Sequence, residues 1–495
     1  MQLLPYIIIF AVFLACAQLR YFYFAHMFQL NSYHHDMHWT WLKKNYLRNL
    51  TVIMPVKAKK AFAFTARMKR LCVTFNVLML ALFAAVFLKN TVPYWLIIFP
   101  LALLFIYQMI PFVMLLCDIL NKPIEKMVNN HYINDAKRIL ESLPNLRVIG
   151  VTGSYGKTTV KHFITELLKV KHEALCTPAS YNTTLGVVRT IRESLKPTHE
   201  FFVCEMGARR RGDIKEICDL VRPEIGVLTT IGYEHLDTQG TIENIIHTNF
   251  ELIESLPEHG IGVINFDNDY IRGNHESKQS PKIKVRYGID GLWDYHAHSL
   301  RYSNEGTAFT IVADMGDKQE SVEFRTDVLG EHNVLNITAA VACANMLGIP
   351  MADLVPAVKR LEGVPHRLQL VRRGNLSIID DAYNSNPEGA KSALNVLDGF
   401  KGLKVLITPG MIELGDKEAQ MNFEFGVAAA AVCDMVILIG RAQTKDIHRG
   451  LFSANFPVGK VVIKEQFLDG FAVVNELAEK QKVAVLLEND LPDNY

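Results

Sequence analysis

The sequence predicts an α/β protein with a phosphate-loop domain and a second Rossmann-like α/β domain, both preceded by three transmembrane helices. Three observations carry this. Short apolar runs alternate with polar, helix-like stretches through most of the chain; one of them, VIGVTGSYGKTT at 148–159, runs into a glycine-rich turn; and the first ~120 residues hold long charge-free apolar segments. Strand–helix alternation implies a mostly parallel sheet covered by helices on both faces.

The N-terminal elements come first. Leu3 to Leu19, Leu71 to Leu88 and Thr91 to Cys117 are each long enough to cross a ~30 Å hydrocarbon layer as a helix. The first run has neither a basic leader nor a small-x-small cleavage site, so it reads as a retained anchor. Between the first two runs lie Lys43, Lys44, Arg48, Lys57, Lys59, Lys60, Arg67, Lys69 and Arg70. By the positive-inside rule that loop is cytoplasmic, the N-terminus is outside, and the catalytic body follows the third helix into the cytoplasm. The same loop carries His34, His35, Asp36 and His38, which read as a solvated, headgroup-facing cluster rather than a metal site.

Residues 121–143 look like an amphipathic connecting helix. VIGVTG, FFVCEMG, IGVLTTIG and GIGVINF then read as buried strands. The stretch 283–324 looks like an antiparallel excursion, with a helix over 332–346 after it. LSIID, KVLITPG, MVILIG and VAVLLEN supply the strands of a second unit from about residue 364. The domain reading is therefore 1–120 membrane, 121–363 central and 364–495 C-terminal. At 495 residues, a prior of about three domains agrees.

Composition narrows the classes. A formal net charge of +1 argues against a nucleic-acid binder, which would show a basic stripe. Eight scattered cysteines without a C-x-x-C pair suit reduced thiols and not a disulfide framework or a zinc site.

The turn at 148–159 is the strongest chemical signal. Gly150, Gly153 and Gly156 shape it, with Val151 where the strict phosphate-loop pattern has glycine. Backbone N–H groups of the turn and the following helix face an anion, Lys157 adds a point charge, and the Thr158 hydroxyl is suited to Mg²⁺. Glu205 and His235 fall at the ends of neighbouring strands, where a carboxylate and an imidazole suit metal ions bridging a nucleotide and a substrate.

GVTGSYGKTT, SYNTTLGV, EMGARRRGDI, IGYEHLDTQGTIEN, GEHNVLNITAA, HRLQ, IIDDAYNSNPEGAKSAL and PGMIELGD occur in this order. The series resembles the Mur ligase family, ATP-dependent amide ligases of peptidoglycan precursor synthesis, and is most similar to its MurF-type, D-alanyl-D-alanine-adding members. The resemblance covers Val148 to about Gly440. It implies ATP and Mg²⁺ as cofactors. Gly153, Ser154, Gly156, Lys157, Thr158 and Thr159 would cradle the phosphates, and Thr158, Glu205 and His235 would hold metal. Asn333 and Asn336 would face the adenine side, Arg367 would reach the phosphates, and Asp381 would take the ribose. Asn182, Asn384 and Asn386 would line the substrate side. Lys157, His235 and Arg367 would act on the reacting groups.

Three departures qualify the likeness. Where most of the family has a carbamylated, metal-bound lysine, this chain has Asn249. The family's uridine-nucleotide domain has no counterpart, its place being taken by the membrane segment. The last strand runs into ENDLPDNY, where the resemblance leads one to expect Lys-Gly-Ser. These imply a membrane partner and a peptidoglycan precursor or other envelope substrate, a lipid-linked one included. A poly-γ-glutamate-type or precursor-amidating ligase, and a non-catalytic nucleotide-binding scaffold, are the competing readings.

Overall fold

A computed structural model describes residues 4–31, 33–45, 61–88, 95–234, 236–277, 283–289, 291–303, 306–316, 319–363, 366, 368–382 and 385–489. Its contacts divide the chain into two units that meet in sequence at His131–Tyr132.

The first unit is helical, built from Leu4–Leu30, His35–Lys44, Ala66–Leu88 and the first part of Trp95–Glu141. Among the described residues two helices are long and apolar enough to cross a membrane, Ile8–Leu30 and Pro100–Glu141. The expected second span, Leu71 to Leu88, falls in the helix Ala66–Leu88, which is not among those two. Apolar side chains such as Phe24, Phe28, Phe75 and Met114 form the interior.

Polar groups stitch that interior together. Arg20 is buried, donates to Gln108 Oε1 at 3.0 Å and lies 4.6 Å from the Tyr107 ring centre. Arg70 holds Glu125 by two hydrogen bonds of 2.6 and 2.8 Å. Asp118, 1% exposed, joins His35 at 2.7 Å to Arg67 at 2.9 Å. The solvated histidine cluster is thus corrected: His38 is buried and hydrogen-bonded to Asn31, and His35 is spent on Asp118. Its carboxylate partner lies 83 residues away, which a local reading does not see. The expected connecting helix is also not separate. It continues the preceding apolar helix through Pro100, Pro111 and Pro123 as one element, Trp95–Glu141.

The second unit contains two sheets. The strands of the first are β1 Arg147–Thr152, β2 Ala174–Cys176, β3 Phe201–Glu205, β4 Ile225–Leu228, β5 Ile261–Asn265, β6 Ile283–Ile289, β7 Tyr295–Ser303, β8 Gly306–Asp314 and β9 Gln319–Thr326. They lie in the order β2-β3-β1-β4-β5-β6-β7-β8-β9. From β2 through β7 neighbours are parallel, while β7, β8 and β9 run antiparallel. The antiparallel excursion is therefore narrower than 283–324, because β6 extends the parallel sheet.

β1 sits between β3 and β4, so chain connections leave it in opposite directions. Such a reversal opens a crevice beyond the strand ends. Helices Lys157–Leu168 and Glu331–Met346 pack over one face through Val160, Phe163, Ile164, Val334, Ile337 and Val341. Helices Thr184–Ser194 and Asp213–Val221 cover the other through Val187, Ile191, Ile214 and Ile217. Apolar strands buried on both faces are what a parallel core requires.

The second sheet has β10 Gln369–Arg373, β11 Leu376–Asp381, β12 Leu403–Thr408, β13 Met435–Ile439, β14 Val461–Lys464 and β15 Val483–Glu488. Their order is β10-β11-β15-β12-β13-β14, parallel except for β10. All eight cysteines are free thiols.

Candidate functional site

The site grows from the end of β1. Val151 and Thr152 are the last residues of a buried strand; Gly153 then turns the chain with φ +145°, and Gly156 caps the next helix with φ +80°. A Cβ on Gly153 would lie 2.0 Å from Thr229 Oγ1, and one on Gly156 2.7 Å from Asn336 Oδ1. Only glycine fits either position, for reasons of both space and backbone angle. Lys157, Thr158 and Thr159 occupy the first turn of the helix Lys157–Leu168, where free N–H groups and the helix dipole favour an anion.

The turn is pinned by the segment after β4. Ser154 and Tyr155 N–H groups both donate to Thr230 O, at 2.6 and 3.2 Å. Ser154 Oγ donates to Gly232 O and accepts from Gly232 N–H, each at 3.0 Å. Tyr155 O–H donates to Tyr233 O at 2.9 Å. Ser154 is therefore a brace of the loop, a role its place in the motif alone does not reveal.

Lys157 Nζ folds over this loop. It donates to Gly153 O at 2.7 Å, Ser154 O at 2.8 Å and Glu234 Oε2 at 3.0 Å, so its three N–H donors are all engaged. Thr158 Oγ1 is buried and has no hydrogen-bond partner. An orphaned buried hydroxyl in the first turn of a phosphate-loop helix fits a cation held beside phosphate, and the glycine cradle fits the phosphate itself.

Glu205 ends β3, 1% exposed. Its Oε2 accepts from Lys161 Nζ at 2.9 Å and its Oε1 from Asn182 Nδ2 at 3.1 Å. Lys161, one helical turn beyond Lys157 and also buried, was not singled out from the sequence. Its pairing with Glu205 follows from the parallel register of β1 and β3, which sets Val151 beside Glu205. Asn182 thus belongs beside Glu205, packed against Gly207, where a Cβ would come within 2.7 Å of it.

Asn249 is buried and hydrogen-bonded at both ends of its amide. Its Oδ1 accepts from Thr152 Oγ1 at 3.1 Å and its Nδ2 donates to Ile245 O at 2.9 Å. It ties the helix Ile242–Glu254 to the end of β1.

Of the residues expected near the base, Asn336 lies against the phosphate turn at Gly156, while Asn333 donates to Leu329 O at 2.7 Å. His332, between them in the motif, reaches Ser392 Oγ of the helix Pro387–Asp398 at 2.9 Å. Burial lowers its pKa to about 4, so it is neutral at ordinary pH.

In the second sheet, Asp381 ends β11 and accepts from Leu368 N–H at 3.1 Å. Its register partner is Glu488, the last residue of β15. Glu488 is buried, accepts from Ser385 Oγ at 2.6 Å, and is pushed well above the usual carboxylate range by burial and then by Asp381. Asn386, expected on the substrate side, caps the helix Pro387–Asp398 by accepting from Gly389 N–H at 2.7 Å. A helix cap is the ordinary use of Asn before proline at N1. His235, Arg367 and Asn384 lie outside the described residues.

The loop after β12 meets the segment after β4. Leu236 N–H donates to Glu413 O at 3.2 Å, and Lys417 Nζ lies 3.9 Å from the Tyr233 ring centre. The Lys417 hydrogen bond, then that from Tyr270, draws the Tyr233 phenol below its usual pKa.

Comparison with known proteins agrees with this geometry. Residues 151–344 match the Mur ligase middle domain and residues 366–487 the Mur ligase, glutamate ligase domain. The UDP-N-acetylmuramoyl-tripeptide–D-alanyl-D-alanine ligase of Bacillus subtilis is 33% identical over 310 residues, which are 62% of this chain and 65% of that relative. The Escherichia coli enzyme of the same name is 30% identical over 350 residues, 69% of this chain and 74% of its own. Among solved structures, MurF from Acinetobacter baumannii superposes with a TM-score of 0.64 at 26% identity, covering 73% of this chain and 77% of its own. The MurF ligase from Thermotoga maritima in complex with ADP gives 0.63 at 27%, covering 73% and 80%. The chain belongs to the Mur ligase family, whose members are ATP-dependent amide-forming ligases.

Proposed function

We propose that this chain is an ATP-dependent amide ligase of cell-wall precursor synthesis. It would activate a substrate carboxylate as an acyl phosphate and join it to an amine such as that of D-alanyl-D-alanine. The observation that carries this reading is the phosphate loop of Gly153 to Thr159, with Lys157 folded over it and a buried, partnerless Thr158 hydroxyl in the first helical turn. Likeness to ligases named for adding D-alanyl-D-alanine supports the choice of amine.

In the reaction, a carboxylate oxygen attacks the γ-phosphorus of ATP and ADP leaves. The amine then adds to the acyl carbon, and phosphate departs with that same oxygen. Bound Mg²⁺ would supply charge neutralisation along the phosphates, with Thr158, Glu205 and His235 as its expected holders. Lys157 gives up its loop carbonyls to phosphate and stabilises the growing equatorial charge. Arg367 would add a second positive charge. Asp381 would hold the ribose, Asn333 and Asn336 the adenine side, and Asn182, Asn384 and Asn386 the substrate side.

The domains are read as 1–120, 121–363 and 364–495, with three transmembrane helices, an outer N-terminus and cytoplasmic catalytic domains. Two helices of sufficient length and apolarity support the anchor. The proposed carboxylate substrate is membrane-associated, a lipid-linked peptidoglycan precursor or another envelope polymer. Purified full-length protein assayed with soluble UDP-linked peptide and with lipid-linked precursor tests this. Ligation of the lipid-linked form is expected; efficient turnover of the soluble form alone would sink the membrane-substrate part. Asn249, standing where most of the family has a metal-bound lysine, motivates one alternative, a nucleotide-binding scaffold, which ATP binding without turnover on any of these substrates would support.

A further inference from the structure

Glu234 was not singled out by any motif, yet it is the carboxylate paired with the phosphate-binding lysine. Its Oε2 lies 3.0 Å from Lys157 Nζ, and both side chains are largely buried, 17% and 13% exposed. Its position is built, not incidental. The two residues before it are bonded to the phosphate loop itself, Gly232 through Ser154 and Tyr233 through Tyr155. On the other side, Leu236 is held by Glu413 O. Glu234 is therefore delivered to Lys157 by the segment after β4 that braces the cradle.

This arrangement creates a charge problem that nucleotide binding must solve. All three Lys157 donors are engaged, two of them by carbonyls of the loop. A phosphate that claims Lys157 draws that ammonium away from Glu234 and places a polyanion beside its carboxylate. Two like charges in a low-dielectric crevice are unfavourable, and a divalent cation between them removes the conflict. Of the neighbouring oxygens, each carboxylate oxygen of Glu205 already accepts one donor and Asn249 Oδ1 accepts from Thr152, so Glu234 would add charge to a cation site that these residues alone leave partly engaged. Thr158 Oγ1, adjacent to Lys157 in sequence, is a buried oxygen with no partner.

We propose that Glu234 is a cation-liganding residue of the nucleotide site, which neutralises Lys157 in the ligand-free protein and exchanges it for the nucleotide's divalent cation on binding. Glu234 thereby makes nucleotide affinity depend on the cation. The inference rests on the nucleotide-binding part of the proposed function and is independent of the identity of the ligated substrates.

The test is ADP binding by calorimetry to the full-length protein in detergent, with Mg²⁺ and with EDTA. Wild type is expected to gain roughly tenfold or more in affinity from Mg²⁺. Glu234→Gln, which keeps shape and loses charge, is expected to bind ADP more tightly than wild type in EDTA and to gain less than about threefold from Mg²⁺. Glu234→Asp should restore most of the Mg²⁺ gain. An equal Mg²⁺ gain in wild type and Glu234→Gln would overturn the proposal. So would weaker ADP binding by Glu234→Gln in EDTA, since Glu234 would then merely orient Lys157. No ADP binding by wild type overturns the nucleotide reading as well, whereas Mg²⁺-dependent ADP binding without ligation overturns only the ligase reading.

Discussion

Gly153, Lys157 and Lys161 lie within nine residues yet are constrained by three different forces. Gly153 has a backbone angle that side chains rarely adopt and no room for a Cβ beside Thr229. Gly153→Ala should cost about 1–3 kcal/mol of stability in urea unfolding and weaken ADP binding. Lys157→Ala takes the cation from the partly exposed Glu234 and should cost less stability than loss of a fully buried pair, but it should remove several kcal/mol of transition-state stabilisation, read as kcat/KM; unchanged activity would refute the phosphate role. Lys161 is the opposite case. Removing it as Lys161→Met leaves Glu205 buried without its cation, and a loss of about 3–5 kcal/mol in unfolding is expected. The glycines and Lys157 were legible because a phosphate cradle needs those residue types at fixed local spacing. Lys161 and Glu234 were not, because their partners lie 44 and 77 residues away and only strand register brings them together.

At the scale of elements, the helix Glu331–Met346 touches the helix Pro387–Asp398 through His332 and Ser392. Burial holds the folded pKa of His332 near 4, below the ordinary 6.5. Between those values the unfolded chain binds the extra proton, so this group adds stability above pH 6.5 and loses it as pH falls toward 4, up to about 3 kcal/mol. His332→Gln should therefore show a flatter melting-temperature profile than wild type between pH 6.5 and 4; identical profiles would remove His332 from the account. The buried interior strands β1, β3, β4, β5, β11, β12, β13 and β15 were legible as apolar runs. The missed ones, β2, β10 and β14, are all edge strands: the first has three residues, and the second ends in Arg372 and Arg373. Short or charged edges avoid unwanted pairing and for the same reason carry little apolar signal. β6 was read with the antiparallel stretch because the helix that separates it from β5, Asp269–Asn274, has only six residues and carries little helical pattern to mark a parallel crossover.

For the whole molecule, the family resemblance identified both catalytic domains, while the helical unit was legible mainly as hydropathy. Its ion pairs were not. Arg67 and Arg70, read as part of a basic loop, are neutralised by Asp118 and Glu125 from a helix some fifty residues later. The anchor reading predicts that the protein stays in the membrane fraction through an alkaline carbonate wash; release into the supernatant would refute it. The central claim is that a carboxylate oxygen of the substrate ends on phosphate. The direct measurement is turnover of a precursor peptide, soluble or lipid-linked, labelled with ¹⁸O in its terminal carboxylate, with ATP, Mg²⁺ and D-alanyl-D-alanine, followed by mass spectrometry of the released phosphate. The account predicts one ¹⁸O atom per phosphate with wild type and no release with Lys157→Ala. Phosphate released without the label, alongside formation of the amide, would contradict it.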